Sequence, residues 1–287
     1  MSEPTYVNEG QTTAALTSAC STCAIHQASQ LERLGVRLDN YDYVVALAGN
    51  PNVGKSTVFN RLTGLRQHTG NWPGKTVSRA EGGFRYAAHQ YKLVDLPGTY
   101  SLLSNSQDEE IARDFIVFGQ PDATIIVVDA TVLERNLNLV LQVLDMTSRA
   151  VVCLNLMDEA RRKDIQVDQR RLARDLGVPV VATAARRGEG LSELLATVSA
   201  VARGQTVCRP YHIEHESPAL KQAVAQLVRQ LETVFPGLPN ARWVALRLLD
   251  GDERIEELVR TGELGNMFQT RQQPASPGLA FPIEVHG

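Results

Sequence analysis

GNPNVGKST, residues 49–57, follows the apolar run Tyr43–Ala48 and leads into a helical pattern over Lys55–Leu62. Strand, glycine-bearing loop and helix in that order are the setting in which G-x-x-x-x-G-K-S cradles phosphate. Gly49 and Gly54 let backbone N–H groups curl around phosphate oxygens. Lys55 reaches the terminal phosphates, and the Ser56 hydroxyl is placed to ligate Mg²⁺. The helix N-terminus adds partial positive charge. The loop therefore predicts a nucleotide-binding α/β domain, without choosing the nucleotide.

The surrounding pattern agrees. Short runs rich in Val, Ile and Leu recur at Tyr43–Ala48, Tyr91–Leu96, Ala123–Asp129, Ala150–Leu156 and Val178–Thr183, as in buried parallel strands. Helical patterns lie between them at Asp108–Phe118, Asn136–Met146, Asp168–Leu176 and Ser192–Ala202. Thr76–Tyr86 alternates and reads as an edge strand returning into Tyr91–Leu96. The expected architecture is a mostly parallel six-stranded sheet with helices on both faces. After Gly204 the character changes. Ser217-Pro218 is a cap followed by a first-turn proline, and Leu220, Val224, Leu227, Leu231 and Val234 recur at helical spacing. Helices are expected to continue at Trp243–Leu249 and Ile255–Val259, with Gly262 as a stop. The predicted division is a loosely ordered extension over 1–40, with a short helix around Gln27–Leu34. A nucleotide-binding domain over 41–204, an all-helical unit over 205–270 and a Pro/Gly/Gln-rich linker over 271–287 follow.

D-L-P-G at 95–98 ends the next long strand. Asp95 is placed to hold Mg²⁺ through water, and the Gly98 N–H to face a γ-phosphate. Asn155-Leu156-Met157-Asp158 ends another strand as N-x-x-D. Alone, that pattern is equally a strand-end turn. In order after the phosphate loop and D-x-x-G, it is a guanine reader: a carboxylate at Asp158 accepts from both N1–H and N2–H, which adenine does not offer. Charge-assisted bonds of about 1.5–3 kcal/mol each then exclude adenine. The expected nucleotides are GTP and GDP. T-A-A-R at 183–186 stands where such proteins carry a Ser-Ala turn against the base. Ala184 replaces the serine and leaves the Ala185 N–H available. Leu156 stands where a lysine is usual, and fast nucleotide release is expected.

HTGNWPGKTVS, residues 68–78, has the glycines and proline of a segment that rearranges. Thr76 is its candidate for binding Mg²⁺ and sensing the γ-phosphate. Trp72 reads either as packing against the body or as functional. Thr99 follows D-L-P-G where many GTPases place a water-orienting glutamine, so intrinsic hydrolysis is expected to be slow, about 10⁻⁴–10⁻² s⁻¹ or less. Thr76, Asn52 and Lys55 are the candidate catalytic side chains. The nucleotide is expected to touch Gly49, Asn50, Pro51, Asn52, Val53, Gly54, Lys55, Ser56 and Thr57 of the loop, then Gly74, Lys75 and Thr76. Its remaining contacts are expected at Asp95, Gly98, Asn155, Met157, Asp158, Ala184 and Ala185.

Composition fits a globular protein: 43% hydrophobic and 21% charged, with net charge −3. That charge gives no electrostatic case for a nucleic-acid partner. No run approaches the ~18–20 apolar residues of a membrane span, and no basic-then-apolar signal opens the chain, so it reads as soluble and cytoplasmic. Cys153, in an apolar run, reads as a buried thiol. Cys20, Cys23 and His26 have spacing compatible with a metal or dithiol but supply three ligands in a Ser/Thr-rich tail, for which a flexible extension is the default.

GNPNVGKST, GNWPGKT (70–76), DLPGTYSL (95–102) and NLMDEA (155–160) together resemble the N-terminal cytoplasmic region of the ferrous iron transport protein B family. The resemblance extends over about residues 41–265, including WVALRLLDGDE at 243–253. It implies a GTPase domain, a helical spacer that slows GDP dissociation, and a polytopic membrane domain that carries ferrous iron. This chain would then be the cytoplasmic part at the bacterial inner membrane. Its own membrane domain would be its partner, and it has the possibility of homo-oligomerisation. The other readings are a free-standing GTPase of the ribosome-assembly type and a nucleotide-gated interaction module with negligible turnover. Lys75 departs from the apolar residue expected before Thr76, and the Cys20/Cys23 tail falls outside the resemblance. The resemblance also implies a role for Asn52: holding K⁺ beside the phosphates, with carbonyls around Gly70–Trp72 completing the site. The other reading is that Asn52 hydrogen-bonds within the loop.

Overall fold

Val, Ile and Leu runs without alternation need both faces covered, and the chain meets that need with a sheet between two helical layers. The structure, a computed structural model, describes residues 31–32, 34–36, 41–64, 67–103, 106–211 and 217–268. Cys20, Cys23, His26 and residues 271–287 lie outside them. The strands are β1 Tyr43–Gly49, β2 Gln67–Asn71, β3 Ser78–Tyr86, β4 His89–Asp95, β5 Ala123–Asp129, β6 Ala150–Asn155 and β7 Val180–Ala182. Their spatial order is β2-β3-β4-β1-β5-β6-β7. β1, β4, β5, β6 and β7 are parallel, while β3 runs antiparallel to β4 and to β2.

The sheet has seven strands, which corrects the expected six. The added strand, β2, reads QHTGN and has no apolar alternation. It is held by its backbone ladder to β3, with Asn71 opposite Ser78 and Gln67 opposite Gly82. β3 accordingly begins at Ser78, two residues later than the alternation suggested, because Trp72–Val77 forms the hairpin tip.

The helices are α1 Lys55–Thr63, α2 Gln107–Val117, α3 Leu133–Met146, α4 Met157–Arg162, α5 Gln169–Leu176 and α6 Leu191–Ala202. Val58 and Phe59 of α1, with Leu194 and Val198 of α6, cover one face of the sheet. Phe115 of α2, with Leu139 and Val143 of α3, covers the other. That second core continues into the C-terminal helices α7 Pro218–Val234, α8 Ala241–Leu249, α9 Glu253–Thr261 and α10 Glu263–Phe268. The expected cap is present: Ser217 accepts from the Leu220 N–H at 3.2 Å, with Pro218 in the first turn. Gly262 ends α9 with φ 76°, and α10 follows, a helix the sequence pattern did not suggest. Fully buried Arg113 of α2 donates to Asp252, the α9 cap, at 3.2 Å and lies 6.0 Å from the Trp243 ring centre. Among the described residues no helix is long and apolar enough to cross a membrane.

Candidate functional site

In a parallel sheet the loops after the strands share one edge, and every predicted site segment leaves from it. β1 leads into the phosphate loop, β4 into Asp95–Gly98, β6 into Asn155–Asp158 and β7 into Thr183–Ala185. The β2–β3 hairpin reaches this edge too. Ala80 pairs with Asp95, so Asn71, Ser78 and the tip between them project past the end of β4.

The phosphate loop has little room for side chains. A first side-chain carbon at Gly49 would stand 2.7 Å from the Val127 carbonyl oxygen. At Gly54, where φ is 85°, it would stand 2.5 Å from the Asn155 Nδ2. Glycine is therefore required at both positions, by close approach at the first and by approach and conformation at the second. Lys55 follows at the start of α1. Its ammonium pairs with the Asp95 carboxylate and donates to the Leu96 carbonyl at 2.7 Å. Burial pushes the Asp95 carboxyl above its ordinary range, and Lys55 opposes that shift. The two groups expected to meet the phosphates and Mg²⁺ thus hold each other. Ser56 is exposed at the helix start, and Thr57 is half-buried. A carboxylate and a hydroxyl at one loop are hard oxygen donors that fit Mg²⁺. Gly98 lies on the loop itself, since a first side-chain carbon there would be 3.6 Å from the Pro51 nitrogen.

Asn155 ties the site together. Its Nδ2 donates to the Val53 carbonyl at 3.0 Å. Its Oδ1 accepts from the Ala185 N–H and the Thr183 hydroxyl, each at 3.1 Å. The Ala185 N–H, expected to be available to the base, is held here by Asn155, one strand away. Asn155→Ala would leave two buried backbone groups unpaired, a loss of about 2–3 kcal/mol. The expected fall in melting temperature is about 4–12 °C by thermal denaturation.

Asp158, in the first turn of α4, has a side chain 14% exposed and pairs with Arg187 at 3.3 Å. Leu156 before it is left-handed, with φ 62°, and Met157 donates its N–H to the Thr183 carbonyl at 3.1 Å. The sequence reading did not include Arg187; an arginine just past T-A-A-R, facing the N-x-x-D carboxylate, was the signal available. Ala184 is buried and donates its N–H to the Glu189 carbonyl at 3.1 Å. Beneath Thr183, burial pushes the Cys153 thiol up to about 12, so it is the inert core thiol expected.

The hairpin tip is less committed to the loop. Thr76 and Gly74 are exposed, and Gly70 lies in β2 opposite Arg79. Lys75, the departure noted in the sequence, pairs with Glu110 of α2 at 3.2 Å. Trp72 is buried, edge-on to Phe115 at 5.6 Å, and its carbonyl accepts from the Lys75 N–H at 3.0 Å. Packing against the body is therefore what Trp72 does in this arrangement. Asn52 is exposed, with φ 68°. Asn50 is buried beside it with neither amide atom partnered, lining a cavity of about 180 Å³ with Asn52, Tyr100, Asp129 and Asn136. Thr99 is buried, and Tyr100 is the exposed residue after the DLPG turn.

The same residues match known proteins. Residues 43–198 match the family described as Ferrous iron transport protein B, and residues 217–275 the FeoB cytosolic helical domain. The Fe(2+) transporter FeoB of Escherichia coli K12 is 41% identical over 212 residues, 72% of this chain and 27% of its own length. The chain thus spans about a quarter of that relative. The cytosolic domain of the T. maritima FeoB iron transporter, in a GDP form, superposes with a TM-score of 0.69 at 37% identity. It covers 78% of this chain and 85% of its own. The cytosolic domain of L. pneumophila FeoB gives a TM-score of 0.69 at 36% identity, covering 80% and 90%. Sheet order, phosphate loop, DLPG turn, N-x-x-D tie and helical unit all fall inside these matches. The chain belongs to the ferrous iron transport protein B family, of which it carries the cytosolic G domain and helical domain.

Proposed function

We propose that this chain binds and hydrolyses GTP as the cytoplasmic part of a bacterial ferrous iron transporter, and that nucleotide turnover gates or drives Fe²⁺ uptake through the transporter's own membrane domain. One observation carries the reading. The four segments of a guanine-nucleotide site converge at one sheet edge, with Lys55 on Asp95 and Asn155 bonded to both the phosphate loop and the Thr183–Ala185 turn. The T. maritima relative in a GDP form supports the choice of nucleotide.

Lys55 leaves Asp95 for the β and γ oxygens when GTP enters, exchanging one anionic partner for another. Asp95 and Ser56, joined by Thr76, would hold Mg²⁺, which neutralises charge on the transferred phosphoryl group. Asn52 and carbonyls of Gly70 and Trp72 would hold K⁺, supplying positive charge where an arginine finger would otherwise stand. Asp158 reads the base, displacing Arg187, and Asn155 keeps that reader in register with the phosphate loop. With Thr99 where many GTPases place a water-orienting glutamine, turnover is slow.

Fluorescent-GDP displacement by GTP, GDP and ATP, with single-turnover hydrolysis of labelled GTP, tests the proposal. Displacement by ATP as readily as by GTP would overturn it. Thr76 provides a separate check. Thr76→Ala should leave GDP affinity within about twofold and lower hydrolysis at least about tenfold, as expected for an interaction made only when the γ-phosphate reacts.

A further inference from the structure

The matched family span begins at residue 43, yet the strand-like switch hairpin is gripped by residues ahead of it. Leu31 and Glu32 are helical, and the chain then closes a helix end. The Gly35 N–H bonds to the Glu32 carbonyl and the Val36 N–H to the Leu31 carbonyl, both at 2.9 Å, with Gly35 at φ 84°. This is the double bond pattern of a glycine-stopped helix with an apolar residue after the stop.

The stop sits on the switch loop. A first side-chain carbon at Gly35 would lie 2.3 Å from the Arg79 guanidinium and 2.7 Å from the Pro73 ring, so only glycine allows this approach. Arg79 donates to the Leu34 carbonyl at 3.2 Å, pairs with Glu81 at 2.7 Å and lies 5.3 Å from the Trp72 ring centre. Leu31 and Val36 are buried in the same core as Trp72, Phe115 and Phe118. Leu34 and Leu31 reach the end of α2, where they would meet any side chain placed at Gly119.

We infer that the Gly35 turn is an intramolecular clasp on Trp72 and Pro73 that holds the switch loop in its resting position and thereby restrains GTP hydrolysis. In that position Thr76 is exposed and β2 is zipped to β3 at the sheet edge, three strands from β1. Engaging the γ-phosphate requires Thr76 to move toward the phosphate loop, and Trp72, four residues away, must loosen from the core it shares with Leu31 and Val36. The inference rests on residues 68–78 being the nucleotide-responsive loop.

The test uses full-length Gly35→Val, which puts a branched side chain into Pro73 and Arg79, and Val36→Asp, which places a charge in the shared core. Melting temperature and fluorescent-GDP affinity establish that each variant is folded. If Val36→Asp loses GDP affinity through global damage, Gly35→Val alone decides. Single-turnover GTP hydrolysis should rise about tenfold, the factor given by about 1.4 kcal/mol of lost restraint. Acrylamide quenching reports the contact independently of activity. The chain has 2 tryptophans, Trp72 and Trp243, both buried, and the variants should expose only the first. Equal or slower hydrolysis in a folded variant overturns the inference, whether or not Trp72 becomes accessible. A parent chain that neither binds nor hydrolyses GTP instead overturns the proposed function, and the quenching then still reports whether the clasp holds Trp72.

Discussion

Asp158→Asn is expected to weaken GTP binding by about 10²–10⁴-fold while xanthine nucleotide becomes the better ligand. The size follows from two charge-assisted hydrogen bonds, each worth about 1.5–3 kcal/mol, between one carboxylate and the N1–H and N2–H of guanine. An amide presents one acceptor and one donor, which suits a ring with a carbonyl where guanine has its amine. The Asp158 side chain is 14% exposed in the first turn of α4, and Leu156 turns the chain into that helix through a left-handed conformation. Arg187 balances the charge before nucleotide arrives. It is 60% exposed, so releasing it to solvent costs little, in line with the small worth of surface ion pairs. Competition of GTP and XTP against a fluorescent nucleotide measures the exchange. GTP affinity equal to the parent's would remove Asp158 from the base site.

The phosphate loop, the DLPG turn, N-x-x-D and six of the seven strands were legible because their signals are local: glycines at fixed offsets, five apolar runs of strand length and the alternation that becomes β3. β2 was not, since QHTGN gains its stability from pairing with Ser78–Gly82 and from no side-chain pattern of its own. α4 was not, because six residues show less than two helical turns and its N-x-x-D start reads as a turn. The site's internal bonds were the least readable. Lys55 resting on the Leu96 carbonyl, Asn155 taking the Ala185 N–H and Arg187 on Asp158 all join residues far apart in sequence. Gly35 is an intermediate case. LERLGV spells a glycine-stopped helix, but what that stop touches depends on where Trp72 and Pro73 are folded back to.

Asn52→Ala is expected to abolish any difference in GTP hydrolysis between potassium and sodium buffers while GDP affinity persists. In the parent, potassium is expected to be faster by about tenfold or more, short of the ~10³–10⁵ of an arginine finger. The argument starts from what the loop does not need. Gly49, Gly54 and Lys55 supply the backbone curl and the ammonium, and the Asn52 amide stands exposed on a left-handed residue. An amide oxygen suits a large, weakly hydrated cation, and Gly70 and Trp72 carry the carbonyls that would complete its shell. Those carbonyls are not free in the resting arrangement. Gly70 belongs to the β2 ladder, and the Trp72 carbonyl accepts from Lys75. Filling the cation's shell therefore requires the same hairpin movement that delivers Thr76, which links the salt effect to loop closure. The linkage has a consequence that a purely structural Asn52 would not have. Thr76→Ala, which leaves the cation ligands in place, should keep a potassium-dependent shift in loop accessibility while losing hydrolysis, whereas Asn52→Ala should lose the shift. Equal hydrolysis rates for the unmodified protein in the two salts would make Asn52 a loop-building residue only.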